Sequence, residues 1–147
     1  MSENQREPVW PGGSWEERAV VLLLRGSGAL LMFAFLAVLM PEDWMAAAHV
    51  GLGLGPFPAS PLVDYLTRSI SMLYGIHGIL VILISTDVRR FAPVIVFCGT
   101  TGIVFGIVMI AIDVGAGLPL SWTLSEGPSI LVVGALILWL MKRRRRP

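Results

Sequence analysis

The chain has 147 residues, of which 55% are hydrophobic and 14% charged, with a formal net charge of +1 and a mean hydropathy of +0.77. That composition lies outside the soluble globular range and points to an integral membrane protein, with no nucleic-acid partner expected. A single cysteine, Cys98, excludes an intrachain disulfide and a cysteine metal cluster.

Residues 1–18 form a polar arm, with Glu3, Glu7, Glu16 and Glu17 set against Arg6 and Arg18. The first stretch able to cross a bilayer is 19–40, because about 20 apolar residues at 1.5 Å each match a hydrocarbon core of about 30 Å. "AAA" at Ala46 to Ala48 resembles a signal-peptidase site. The arm lacks a basic leader, however, and the apolar run is too long, so the first span is expected to stay in place.

A long loop follows, "PEDWMAAAHVGLGLGPFPASPLVD". Its start suits a helix from Glu42 to His49, with Trp44, Met45 and Ala48 on one face, expected to lie amphipathically on the membrane surface. Gly51, Gly53, Gly55, Pro56, Pro58 and Pro61 then break regular structure. His49, at the end of that helix, is expected to bond free carbonyls.

The second span, 65–86, carries Arg68, Tyr74 and His77. Arg68 sits about 4.5 Å inside Tyr65, and His77 about 18 Å inside, near the bilayer middle. Asp64, Arg68, Ser71, Gly75 and Gly78 share one arc of the helix, with Tyr74 on its edge.

The third span, 91–114, bears a stripe of Gly99, Gly102, Gly106 and Asp113. Small residues let helix backbones approach where lipid supplies no hydrophobic drive, so the stripe is expected to face protein: another helix of the chain, favoured because Asp113 needs a protein-lined environment, or else a second copy. The fourth span, 122–141, contains Glu126 and Pro128 and leaves open whether its regular helix begins at Trp122 or at Pro128. Residues 142–147 form a basic tail that reads as a topology anchor.

Four spans place both termini and the turn between the second and third spans on one side. That side holds ten basic residues, Arg6, Arg18, Arg25, Arg89, Arg90, Lys142 and Arg143 to Arg146, whereas the other holds Arg68 alone. Both termini are therefore expected in the cytoplasm. The fold expected is all-α: an integral membrane four-helix bundle over 19–141, with an interfacial helix in the first external loop.

Intramembrane charges normally pair or serve a site. Arg68, Glu126 and Asp113 fall at matching depth, which predicts that Arg68 is held by Glu126 with Asp113 as second partner, Tyr74 and His77 completing a polar cluster; the alternative is that Arg68 snorkels to the interface. Arg25 and Asp87 form the corresponding expected pair at the opposite end. No catalytic or metal-binding motif occurs, and no cofactor is indicated.

"LLLRGSG" in the first span, "YLTRS" in the second, "AIDVGAGLPL" closing the third and the glutamate leading the fourth resemble the small DoxX-like membrane proteins. The resemblance implies a four-helix bundle in a prokaryotic plasma membrane, with some relatives linked to redox complexes or quinone chemistry. The loop containing "HVGLGLGPFP" is longer than that family's usual linker. The chain is thus expected to be a non-catalytic scaffold or subunit in the bilayer, joined to a membrane-protein partner or to a second copy. The alternatives are a protein binding or transporting a small anionic or quinone-like ligand at the polar cluster, and a subunit of a redox complex. Intrinsic haem is disfavoured, because His49 and His77 lie at different depths.

Overall fold

The computed structural model describes residues 13–144. Seven helices follow in order: α1 (Trp15–Met32), α2 (Phe35–Leu39), α3 (Glu42–Gly51), α4 (Pro61–Ile84), α5 (Ala92–Ala116), α6 (Leu120–Ser125) and α7 (Gly127–Arg144). No strand occurs among the described residues. Four segments are long and apolar enough to cross a membrane: Trp15–Leu39, Pro61–Ile84, Ala92–Ala116 and Leu120–Arg144.

These segments begin before or end beyond the apolar runs because polar residues cap them. Ser14 precedes α1 and its Oγ accepts from the Glu17 backbone N–H at 3.4 Å, which is the N-cap bond that serine favours. Residues 15–18 of the polar arm therefore belong to the first helix; residues 1–12 lie outside those described. Ser60 caps α4 in the same way, accepting from the Val63 N–H at 3.3 Å, and Pro61 at the first helical position needs no amide partner. The second span accordingly starts four residues earlier than its apolar pattern. At the far end of α5, Gly117 takes φ +68°. Leu118 N–H then reaches Asp113 O at 3.0 Å and Gly117 N–H reaches Val114 O at 3.2 Å, the paired bonds of a Schellman stop. In the basic tail α7 continues through Lys142, Arg143 and Arg144, where cations offset the negative end of the helix dipole; residues 145–147 lie outside those described.

Two of the four segments are interrupted. Between α1 and α2 the bonds tighten to a 3₁₀ pattern, with Phe33 N–H on Leu30 O and Ala34 N–H on Leu31 O, both 3.1 Å. Between α6 and α7 the backbone turns at Glu126, φ −88° and ψ −77°, because Pro128 has no N–H to offer the carbonyl of Leu124. The choice between Trp122 and Pro128 as the start of the fourth helix is resolved as a short helix, a break at Glu126, and a long helix from Gly127.

α1 packs on α4 and α5 packs on α7, and these two pairs meet through α1 and α7. The buried core lies at the end that carries Trp15 and Arg144, here the basic end. It joins Val20 and Leu24 of α1, Val81 and Ile84 of α4, Ile95 of α5, and Ile137 and Met141 of α7. The opposite end, the loop end, holds α2, α3 and α6 and is tied by polar bonds.

Candidate functional site

Arg68 of α4 is the central polar group of the loop end. Its Nε donates to Asp64 Oδ1 at 2.8 Å, a pair one helical turn apart. Its Nη1 donates to the carbonyl of Val38 at 2.6 Å and its Nη2 to that of Met40 at 3.2 Å. These carbonyls belong to the last turn of α2, where no further turn supplies amide donors. Arg68 therefore caps the first transmembrane segment from the second, and the cation also sits at the negative end of that helix.

This overturns the expected pairing with Glu126. Among the described residues the ion pairs are Arg68–Asp64, Arg89–Glu17 and Arg144–Glu17. The physical reason is competition: Asp64 is already fixed one turn away, and the free carbonyls of α2 demand donors. Glu126 sits half-buried at the break in the fourth segment, within electrostatic reach of half-buried Tyr74 on α4.

Asp113 is 1% exposed, and its Oδ2 has no hydrogen-bond partner among the described residues. It continues the stripe of α5 that faces α7. One turn before it, Ile110 is the nearest side chain to Gly127. One turn before Gly127 lies Thr123, buried on α6. The carboxyl thus lies in the α5–α6 interface beside the broken fourth segment, and among the described residues no cation forms an ion pair with it.

The glycine stripe meets glycines on the facing helix. A Cβ on Gly99 would lie 3.3 Å from Gly134 O, and one on Gly106 would lie 2.7 Å from Gly127 O. Both pairs share one antiparallel register, seven residues apart on each helix. Gly102 is looser, with Gly134 Cα the nearest atom at 3.9 Å, so it lines the seam without being required by it. A second close approach, absent from the sequence reading, joins α1 to α4: a Cβ on Gly28 would meet Gly78 O at 2.9 Å.

At the basic end the expected Arg25–Asp87 pair is replaced. Arg25 Nε donates to Ser85 Oγ at 3.4 Å, while Asp87 Oδ1 accepts from the Arg90 backbone N–H at 2.9 Å and so closes its own turn. The residue that organises this end is Glu17. It accepts from Arg89 Nε at 2.9 Å and Arg144 Nη1 at 3.4 Å, tying α1, the α4–α5 turn and α7 together. The bond from Glu17, then its charge, raises the pKa of the exposed Arg89 guanidinium above its ordinary value. The spacing Ser14-x-x-Glu17 is a capping-box signature that could have drawn attention to this residue.

His49 Nδ1 lies 2.8 Å from the carbonyl of Gly55, and its ring meets Phe57 edge-on at 5.6 Å. It staples the long loop, bonding a carbonyl as expected but one beyond its own helix. His77 is exposed on α4, away from the other polar groups. The structure joins Arg68 to Asp64, leaves Tyr74 and Glu126 without a hydrogen bond to each other, and does not gather the five expected residues into one cluster. No known protein family, curated protein or solved structure matches the chain.

Proposed function

We propose that this chain is a small multi-pass membrane component, a non-catalytic scaffold or subunit whose polar groups serve its own assembly. The observation that carries this reading is Arg68. Among the described residues the one arginine of the loop end is engaged by Asp64 and two backbone carbonyls, an arrangement that holds helices together rather than facing a ligand. In this reading the four segments form a DoxX-like bundle in a prokaryotic plasma membrane. The basic end faces the cytoplasm on the ten-to-one asymmetry of Lys and Arg. α3 then lies on the outer surface with exposed Trp44 toward the headgroups.

A second reading, binding of a small ligand, is favoured by one feature: the unbonded oxygen of Asp113 beside a helix broken at Glu126. Interrupted membrane helices with an ionisable group at the break are where binding sites form.

Native mass spectrometry of the protein extracted in mild detergent separates the two. A protein partner or a second copy retained without a small molecule supports the scaffold. A retained quinone or anion that is lost in Asp113→Asn overturns it in favour of binding.

A further inference from the structure

Seven residues, about 10.5 Å, before the end of α4 at Ile84, His77 presents a polar ring outward. It is exposed and makes no hydrogen bond or ion pair among the described residues. About 18 Å inside Tyr65, it lies where the surroundings of a transmembrane helix are hydrocarbon. The exposed threonines of α5 behave differently. Thr100 and Thr101 turn their hydroxyls back to the carbonyls of Val96 and Phe97, both at 2.9 Å, whereas an imidazole has no such local solution. A donor and an acceptor left bare in hydrocarbon cost several kcal/mol each by the general rule for lipid-exposed polar groups, so a partner from outside this chain is needed.

The residues around His77 form an apolar row along one face of α4. Leu66, Ile70, Leu73, His77 and Leu80 recur at intervals of four, three, four and three along α4, the 3.5-residue period of a left-handed coiled-coil seam. The four apolar members are 44%, 48%, 66% and 44% exposed. The next seam position, Ile84, is 2% exposed and joins the chain's own core, so the free seam spans Leu66 to Leu80. α4 leans on α1 and α2, and the seam lies on a face that these contacts leave open.

We propose that a second copy of this chain covers that seam, forming a parallel two-fold dimer through α4 with the two His77 rings hydrogen-bonded across the axis. The proposal deepens the scaffold reading and rests on it. Two copies inserted with one topology bring each residue to the depth of its own counterpart. Across the axis a ring nitrogen of one His77 can donate to an accepting ring nitrogen of the other. A single polar residue in an apolar seam also fixes register and oligomeric state, as it does in soluble coiled coils. A parallel pair with crossing near +20° is the common packing of membrane helices.

The test uses purified full-length protein in lipid vesicles, with Cys98→Ser as background and one cysteine introduced per variant. Leu73→Cys and Leu80→Cys lie on the seam; Met72→Cys and Ile79→Cys are comparably exposed, at 46% and 50% for the native residues, but point away from it. Oxidation is expected to yield disulfide-linked dimers from the seam variants and monomers from the others. His77→Leu should weaken dimerisation about threefold to thirtyfold, the equivalent of one interhelical hydrogen bond, and His77→Asn, which keeps a donor and an acceptor, should restore much of it. Because His77 is exposed, neither change should disturb the fold. Equal cross-linking at all four positions, none at the seam, or dimers indifferent to His77→Leu would overturn the proposal. If the seam stays monomeric while native extracts yield a complex with a different protein, the dimer fails and the scaffold reading stands.

Discussion

Replacing Gly106 and Gly102 by alanine separates a required close approach from an incidental one. At Gly106 the new Cβ would lie 2.7 Å from Gly127 O and 3.0 Å from Leu131 N. Both are backbone atoms of α7, which cannot rotate away. Restoring an ordinary 3.4 Å contact requires the helices to part by 0.7 Å (3.4 minus 2.7). A radial gap of that size forfeits about a quarter to a half of each dispersion contact along the seam, and overpacking of this kind typically costs about 1–3 kcal/mol. Against it stands the gain of about 1 kcal/mol for alanine over glycine in a helix. Gly106→Ala should therefore lose up to about 2 kcal/mol net. Gly102→Ala, with 3.9 Å of room, should be neutral or slightly stabilising. Unfolding of the detergent-solubilised protein, followed by circular dichroism against added denaturing detergent, measures both. Equal destabilisation, or a loss only at Gly102, would refute the register in which Gly99 faces Gly134 and Gly106 faces Gly127.

Arg68→Met should destabilise by about 1–3 kcal/mol, because it strands the Val38 and Met40 carbonyls and the Asp64 carboxylate; in double-mutant cycles it should couple to Asp64→Asn and be additive with Glu126→Gln. Asp113→Asn should leave stability unchanged or raise it, since a neutral amide costs less to bury than an unpaired carboxylate; a marked drop in melting temperature would mean that the carboxylate has a ligand. Glu17→Gln should loosen the basic end by about 1 kcal/mol or less, given the exposed Arg89 partner, and the loss should shrink in high salt. His49→Ala should free the loop at Gly51 to Ser60, read as faster proteolytic cleavage there with no change in global unfolding.

The four transmembrane segments were legible because their signal is additive: each is a run of apolar residues long enough to average out an Arg68 or a Glu126. The glycine stripe on α5 was legible for the same reason, being periodic within one helix. Its counterparts were not. Gly127 and Gly134 follow one another on α7, and Gly75 and Gly78 share an arc of α4, but nothing in a single chain says which helix faces which. The partner of Arg68 was misread for a related reason. Depth along a helix can be counted in residues, so Arg68 and Glu126 were matched by level. The groups that captured Arg68 are backbone carbonyls, which every residue possesses and no sequence pattern displays. They became available only because α2 ends where it does, at Leu39, and because the 3₁₀ step at Phe33 and Ala34 sets its direction.

That step and the break at Glu126 bear on how the two ends of the molecule differ. α1 and α7 are the helices through which the two pairs meet, and each is interrupted toward the loop end, leaving a five-residue α2 and a six-residue α6. The uninterrupted helices, α4 and α5, run the full depth with 24 and 25 residues. Side chains buried in the apolar core belong to the basic end, where α1, α4, α5 and α7 all contribute. At the loop end, α2 has no buried residue, α3 has only Met45 and α6 only Thr123. Few buried apolar contacts and short helices mark the part of a protein that opens most easily. The restraints there are directional instead: Arg68 on the α2 carbonyls, His49 on Gly55, and the glycine contact of α5 with Gly127. Directional bonds fix geometry but add little net free energy each, whereas the basic-end core supplies stability without fixing where α2 and α6 point. The arginine in the second span therefore fixes the end of the broken first one, holding the carbonyls of Val38 and Met40 and so setting where α2 points.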